Sequence, residues 1–343
     1  MNELYNSIAP KFRSRKAFVK QMETARASIL MRGDRERADG KINAFCSSNE
    51  NNENTFILAL VGFSDNSHPN KYLSVSKCIQ NNTWDLTEYR NTWMRLFIVY
   101  QIDFFNFQRI HLERPKPAGK GCITLPVGFG DLVAMMAIFG NRNLFENAVN
   151  FSLDVFDGGF TGGAITYLTQ LFILRLSEHF LGYPPRDWLN HKHWGVDPRE
   201  QEPLFAALWE HWEDTDTSVL EPLLVQLLNR HTYQASRNNK DGDRDFEGHS
   251  EQFPMELQFI YRLREWRGLT NPAIKHRLTE PPFDVLPVPM QEVVFDEQTI
   301  QFIAKVRASF PDFGSCRAVL ASRSAPRTTS VTPIAASSTT HAS

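Results

Sequence analysis

Asp241-Gly-Asp-Arg-Asp-Phe-Glu247 sets carboxylates at alternate positions, the arrangement with which calcium loops present oxygen ligands. An EF-hand loop needs glycine at its sixth position and glutamate at its twelfth; Phe246 and Gln252 stand there instead, and glycine comes second. The segment reads as a solvated acidic loop or an acidic recognition loop. His191-Lys-His193-Trp194, with His179 and His211 nearby in sequence, gathers imidazoles. It lacks the H-E-x-x-H spacing, and no carboxylate can be assigned as a further ligand. Flanked by Trp188 and Trp194, these histidines read as partly buried hydrogen-bonding residues. The glycine-rich Asp157-Gly-Gly-Phe-Thr-Gly-Gly163 precedes a helix, whose first N–H groups suit an anion. It has no Lys-Ser/Thr and follows a helix rather than a strand, so it reads as an inter-helix turn and not a P-loop. Gly62-Phe-Ser-Asp-Asn66 misses the last glycine of a nucleophile elbow, and no cysteine comes with identifiable histidine and Asn/Asp partners. The residues therefore assign no catalytic group, cofactor or metal, and the expectation is a protein that is not an enzyme.

What remains is charge placement. Glu200, Glu202, Glu210, Glu213, Asp214, Asp216 and Glu221 form one acidic run. Asp241, Asp243, Asp245, Glu247 and Glu251 form another, interrupted by Arg244. The runs lie on either side of a helix predicted over Val219 to Tyr233, and an antiparallel layout would bring their loops near one end. Gathered like charges repel, so either both are solvated faces or a cationic partner offsets them.

The elements that must carry these loops are helical. Lys11 to about Arg37 has Phe18, Met22, Ala25, Ile29 and Leu30 on one side and Arg13, Arg15, Lys16, Lys20 and Arg26 largely elsewhere, an amphipathic helix. Asn49 to Asn54 reads as a polar linker, Phe56 to Val61 as a short apolar run of undecided type, and Tyr72 to Gln80 as a helix. Thr83 to Leu112 is the longest periodic segment, with Thr83 as cap and Asp85 in the first turn. Trp93, Leu96, Phe97, Tyr100, Phe104, Phe107 and Ile110, widened by Ile98, Ile102 and Phe105, make it a central buried helix. Helices follow over Phe129 to Phe139, Leu144 to Phe156, Ala164 to Leu181, Pro203 to Trp212 and Val219 to Tyr233. Their short connections place neighbours antiparallel.

Phe253 to Gly268 is a bounded helix, with Pro254 suited to the first helical position and Gly268 to the left-handed residue after the last turn. Met255, Phe259, Leu263 and Trp266 recur at helical spacing, and Leu257 and Ile260 widen the stripe. A proline-rich strap, Leu269 to Pro287, then crosses the body, and Asp296 to Ala308 is a last short helix. The fold class is all-α: an irregular multi-helix bundle, or an array of antiparallel helix pairs, with an extended strap near the C-terminus. Residues 1–313 form one helical domain, 1–54 being its N-terminal helix and linker. The Ser/Thr/Ala-rich segment 314–343 reads as a disordered tail.

A hydrophobic content of 42% beside 22% charged residues fits a soluble chain with ample core, and 26 phenylalanines fit thick helix–helix interfaces. A net charge of −2 argues against nucleic acid as partner, since phosphate binding needs a clustered basic footprint. The scattered cysteines Cys46, Cys78, Cys122 and Cys316 fit a reducing compartment. With no basic start before an apolar run and no segment long enough to span a bilayer, a cytoplasmic protein that does not bind membranes is expected.

Phe253-Pro-Met-Glu-Leu257, Tyr261-Arg-Leu-Arg-Glu-Trp-Arg-Gly-Leu269, Pro272, His276 and Leu278 resemble the C-terminal portion of helical immunity proteins. These are the antitoxins of bacterial polymorphic-toxin and type VI secretion effectors. The polar segment His231 to Glu251 sits where such proteins carry a comparable loop; the likeness covers about the last third of the folded chain. It implies a protein that binds one cytoplasm-acting toxin, a nuclease or an NAD-degrading enzyme, and occludes its active site. Because nuclease sites are basic, the partner-binding residues expected are Glu210, Glu213, Asp214, Asp216, Asp241, Asp243, Asp245 and Glu247. Two other classes stay open: a helical scaffold or adaptor with a long concave groove, and an uncharacterised helical enzyme built around His191, His193 and Asp187 or Glu210.

Overall fold

The fold is that of a computed structural model, which describes residues 7–31, 34–48, 53–84, 87–113, 128–157, 167–184, 187, 196–237, 246, 251–290 and 295–310. Twelve α-helices and one 3-10 turn account for the regular structure among these residues, and no strand occurs among them.

The N-terminal half stacks α1 (Arg15–Met31), α2 (Asp34–Ser47), α3 (Glu53–Asn81) and α4 (Thr87–Glu113). The single helix expected from Lys11 to Arg37 is thus two. The two segments expected at Phe56–Val61 and Tyr72–Gln80 are instead one continuous helix running through Pro69. The polar stretch around Pro69 looks like a break, since proline removes a donor and crowds the preceding turn. Packing at both ends overrides it: Phe56, Ala59, Leu60 and Phe63 on one side and Val75 and Cys78 on the other are buried against α1, α2 and α4. Thr83 does not cap α4; its N–H bonds the Cys78 carbonyl at 3.2 Å in the turn after α3. Asp85 lies outside the described residues. The central character of α4 is as expected, with Trp93, Leu96, Phe97, Ile98, Tyr100, Ile102, Phe104 and Phe105 all buried.

The C-terminal half is built on α5 (Phe129–Phe139), α6 (Arg142–Asp157) and α7 (Leu168–Leu181), then α8 (Pro198–Gln201), α9 (Pro203–His211), α10 (Leu220–Ser236) and α11 (Met255–Trp266). Helix α5 lies against α4, α6, α7 and α11. Gly130 sets its distance from α7: a Cβ there would stand 2.5 Å from the Gln170 Cα, so only hydrogen fits. Pro254 caps α11 rather than opening it, and Gly268 at φ 73° ends it. The Gly268 and Leu269 N–H groups close on the Glu265 and Arg264 carbonyls at 2.9 Å each, the Schellman pattern that a left-handed glycine permits.

The strap after α11 carries the 3-10 turn Arg277–Thr279 and a cis Pro281–Pro282 bond. It is tied by its carbonyls: Gln258 donates to Phe283 at 2.7 Å, Trp84 Nε1 to Val285 at 3.0 Å, and Arg90 to Val288. Met290 N–H then reaches the Phe139 carbonyl at 2.8 Å, so the strap joins α4, α5 and α11. Finally α12 (Glu297–Ser309), capped by Asp296 Oδ1 on the Thr299 N–H at 2.9 Å, returns to α2 and seats Phe302 among Phe45, Phe56 and Phe63. One contiguous apolar cluster runs from Ala9 to Val306. The tail from 314 onward lies outside the described residues.

Candidate functional site

Of the first acidic run, Glu213, Asp214 and Asp216 lie in the turn between α9 and α10, with Glu210 in the last turn of α9 and Glu221 in the first turn of α10. Glu200 sits in α8, and Glu202 is buried, 3.4 Å from Arg230. Asp214 N–H bonds the His211 carbonyl at 3.2 Å, and Glu221 N–H starts α10 on the Thr217 carbonyl at 2.8 Å. Between them Asp216 folds back on Ser218, accepting from its N–H at 2.9 Å and from its hydroxyl at 3.0 Å. Those hydrogen bonds hold its carboxyl below the usual carboxylate range. Glu210, Glu213 and Asp216 are exposed, and Asp214 is half-buried. The four differ in what they touch. Glu213 pairs with Arg267 at 2.9 Å and lies 3.9 Å from His179, and Asp214 pairs with the His211 ring at 2.7 Å. Neither Glu210 nor Asp216 forms an ion pair among the described residues.

Arg264 fixes this turn from beneath. It projects from α11 with no exposure, and its guanidinium donates to the Trp212 carbonyl, to the Asp214 carbonyl at 3.0 and 3.1 Å, and to the Thr270 carbonyl at 2.6 Å. Burial lowers its pKa, but a guanidinium stays charged, and the planar fork is spent on backbone oxygens. One helical turn of α11 therefore holds the acidic turn at two points while also gripping the start of the strap. Arg262 does the same for the strap's far end, donating to the Ile138 carbonyl at 3.1 Å, to the Pro287 carbonyl and to Glu265.

At the other end of α11 the chemistry is different. His231 of α10 and Glu256 of α11, neither with any side-chain exposure, meet at 2.8 Å. Phe246 stacks on the imidazole with centroids 3.8 Å apart. Beside them Glu251 pairs with Arg13 at 3.2 Å, and Gln252, buried, donates to the Arg13 carbonyl at 2.9 Å. Burial raises the Glu251 carboxyl; Arg13, Gln252 and His231 oppose that shift without cancelling it.

Glu256 lies beside His231 and Arg264 beside Asp214, so α11 runs back alongside α10, and the segments flanking α10 leave from its opposite ends. Those ends are separated by 17 residues, about 25 Å at the helical rise. Asp241, Asp243, Asp245 and Glu247 lie outside the described residues, as do His191, His193 and the glycines from 158 to 163. Asp187 is described and exposed, and His179 packs on Trp209 at 4.8 Å. Among the described residues no group of three or more His, Cys, Asp or Glu side chains is placed to hold a metal ion, and no helix is long and apolar enough to cross a membrane.

Glu256, Arg262, Arg264 and His231 stand within the segments that carry the resemblance, but the sequence assigns none of them a role of its own. A signal was present in α11. Arg262 and Arg264 flank Leu263 at about 100° to either side around the helix, so both border the apolar stripe and cannot share one solvent face. No family model, no curated protein and no solved structure matches the chain.

Proposed function

We propose that this chain is an immunity-type binding protein that neutralises a cognate toxin by docking an acidic turn into the toxin's basic active-site surface. The observation that carries the reading is the contrast at the end of α9 and in the α9–α10 turn: Glu210 and Asp216 are exposed, while the backbone between them is held by Arg264 at Trp212 and Asp214. A recognition loop that is already ordered loses little conformational entropy on binding, which favours affinity. Exposed carboxylates steer a cationic partner and speed association. The likeness of Phe253–Leu278 to helical immunity proteins supplies the partner class, and in this reading α11 shapes the turn without touching the toxin. Asp241, Asp243, Asp245 and Glu247 form the second acidic contact, and Glu213 and Asp214 contribute after exchanging their internal partners.

The test is co-expression and pull-down with the product of the neighbouring gene. The reading expects that product to be toxic alone, harmless beside this chain, and captured by it. A harmless neighbour that is not captured overturns the assignment. Reversal of Asp241, Asp243 and Asp245 to Lys is expected to weaken capture with the melting temperature nearly unchanged.

A further inference from the structure

His231 poses a proton-counting problem that its surroundings answer. Its Nε2 lies 3.1 Å from the Glu251 carbonyl oxygen, and its Nδ1 lies 2.8 Å from Glu256 Oε1. A carbonyl oxygen only accepts, so Nε2 carries a hydrogen. A neutral imidazole then presents a bare lone pair at Nδ1. Facing an ionised Glu256, that lone pair would meet a second lone pair in a site with no water-exposed surface on either side chain. Glu256 Oε2 is buried too and has no hydrogen-bond partner among the described residues, so nothing else there offsets a full carboxylate charge. The two groups need one further proton between them. An imidazolium beside a carboxylate and a neutral imidazole beside a carboxylic acid hold the same number of protons.

From this geometry we infer that His231 and Glu256 together retain one proton in the folded protein, and that this proton fastens the N-terminal arm and the 251–252 turn onto the α10–α11 pair. The parts it joins are specific. Glu251, whose carbonyl takes the Nε2 hydrogen, also holds Arg13, and Gln252 holds the Arg13 carbonyl. Thr232, the next residue after His231, receives the Ala9 N–H at 3.3 Å. The Phe246 ring covers the imidazole. Among the described residues, the charged and titratable groups near the pair are Glu251 from the turn, Arg13, which pairs with Glu251, and His276 from the strap, itself beside Arg277. His276 has the opposite requirement, because its Nδ1 accepts from the Leu278 N–H at 3.1 Å while its Nε2 meets Asn229 Oδ1 at 3.2 Å, which suits a neutral ring.

The sign of the linkage follows. Unfolded histidine and glutamate lose their protons near pH 6.5 and 4.3, so above about pH 6.5 folding takes up the proton that the pair retains. Between about pH 4.3 and 6.5 the unfolded chain holds the same single proton on its histidine, so the pair's contribution is level there, and it declines as pH rises above about 6.5. The arm and turn are therefore sensitive to alkali. The inference is independent of the toxin-binding reading.

Glu256→Gln tests it, because a carboxamide N–H donates to a neutral Nδ1 and needs no extra proton. Folding constants of full-length wild type and Glu256→Gln, measured by urea titration from pH 6.5 to 9, should diverge as pH rises, by up to about tenfold per pH unit, wild type falling relative to the variant. Parallel pH profiles overturn the proposal. If Glu256→Gln does not fold, labelled wild type at pH 8 decides: the 15N shift of His231 Nδ1 and the 13C shift of the Glu256 carboxyl place the proton. A proton on either atom supports the inference, and a bare Nδ1 beside an ionised Glu256 overturns it.

Discussion

Helix α5 buries Phe129, Leu132, Val133, Ala134, Met135, Met136, Ala137, Ile138 and Phe139, an almost wholly apolar surface. Helix α11 is enclosed from Met255 through Arg264, yet it buries Glu256, Gln258, Arg262 and Arg264 among its apolar residues. Both are core helices, and they do different work. Apolar enclosure is non-directional and tolerates swaps that conserve volume. Enclosed guanidiniums and carboxamides act only at defined distances, so α11 sets where the strap, the acidic turn and the N-terminal arm sit. The buried charges of α11 are thus architectural, and Glu210 and Asp216, the exposed carboxylates that α11 does not touch, are the ones the proposed recognition would use.

The difference can be broken from either side. Arg264→Ala should have the largest effect, since it strands the Trp212, Asp214 and Thr270 carbonyls; we expect a loss of about 3–5 kcal/mol in urea unfolding, with Arg264→Lys recovering only part because an ammonium lacks the fork. On the α5 side Gly130→Ala should cost up to about 3 kcal/mol by pushing α5 from α7, whereas Met135→Leu should cost less than about 1.5 kcal/mol. Trp266→Ala removes a half-buried ring packed on Phe145 and Phe180 and should cost about 2 kcal/mol without selectively abolishing partner binding.

A pH titration sharpens the same contrast. Burial, and then the neighbouring His231 and Arg277, pull the His276 pKa down to about 4. The unfolded value is about 6.5, so the folded state favours the neutral ring. Its stabilisation is complete above about pH 6.5 and is lost as pH falls toward 4. His276→Asn, which keeps a short acceptor at the cap, should flatten that acid limb of the melting-temperature profile. Lysine at Glu210, which forms no ion pair among the described residues, should have the smallest effect on stability, within about 0.5 kcal/mol, whereas lysine at Asp216 also removes both hydrogen bonds to Ser218 and should cost about 1 kcal/mol.

How far the sequence was legible varies element by element. The bounds of α5, α11 and α12 are nearly readable because apolar period and terminators coincide: Gly140 after Phe139, Gly268 after Trp266, Asp296 before Glu297. The continuity of α3 was not, because its polar middle and Pro69 mimic a linker while the contacts that hold its ends come from α1, α2 and α4. In the candidate site, exposure of Glu210 and Asp216 accords with their polar setting. The pairing of Glu213 with Arg267 and the grip of Arg264 on Asp214 join residues some fifty positions apart, which local spacing does not encode.

If the proposed recognition rests on exposed carboxylates and the architecture on buried charges, the two separate at Glu210, which is exposed and forms no ion pair among the described residues. Calorimetric titration of the neighbouring gene's product with wild type and with Glu210→Lys, beside the melting temperature of each, measures both at once. A Kd weakened tenfold or more at an unchanged melting temperature is expected. Equal Kd values for the two proteins would overturn the proposed recognition role.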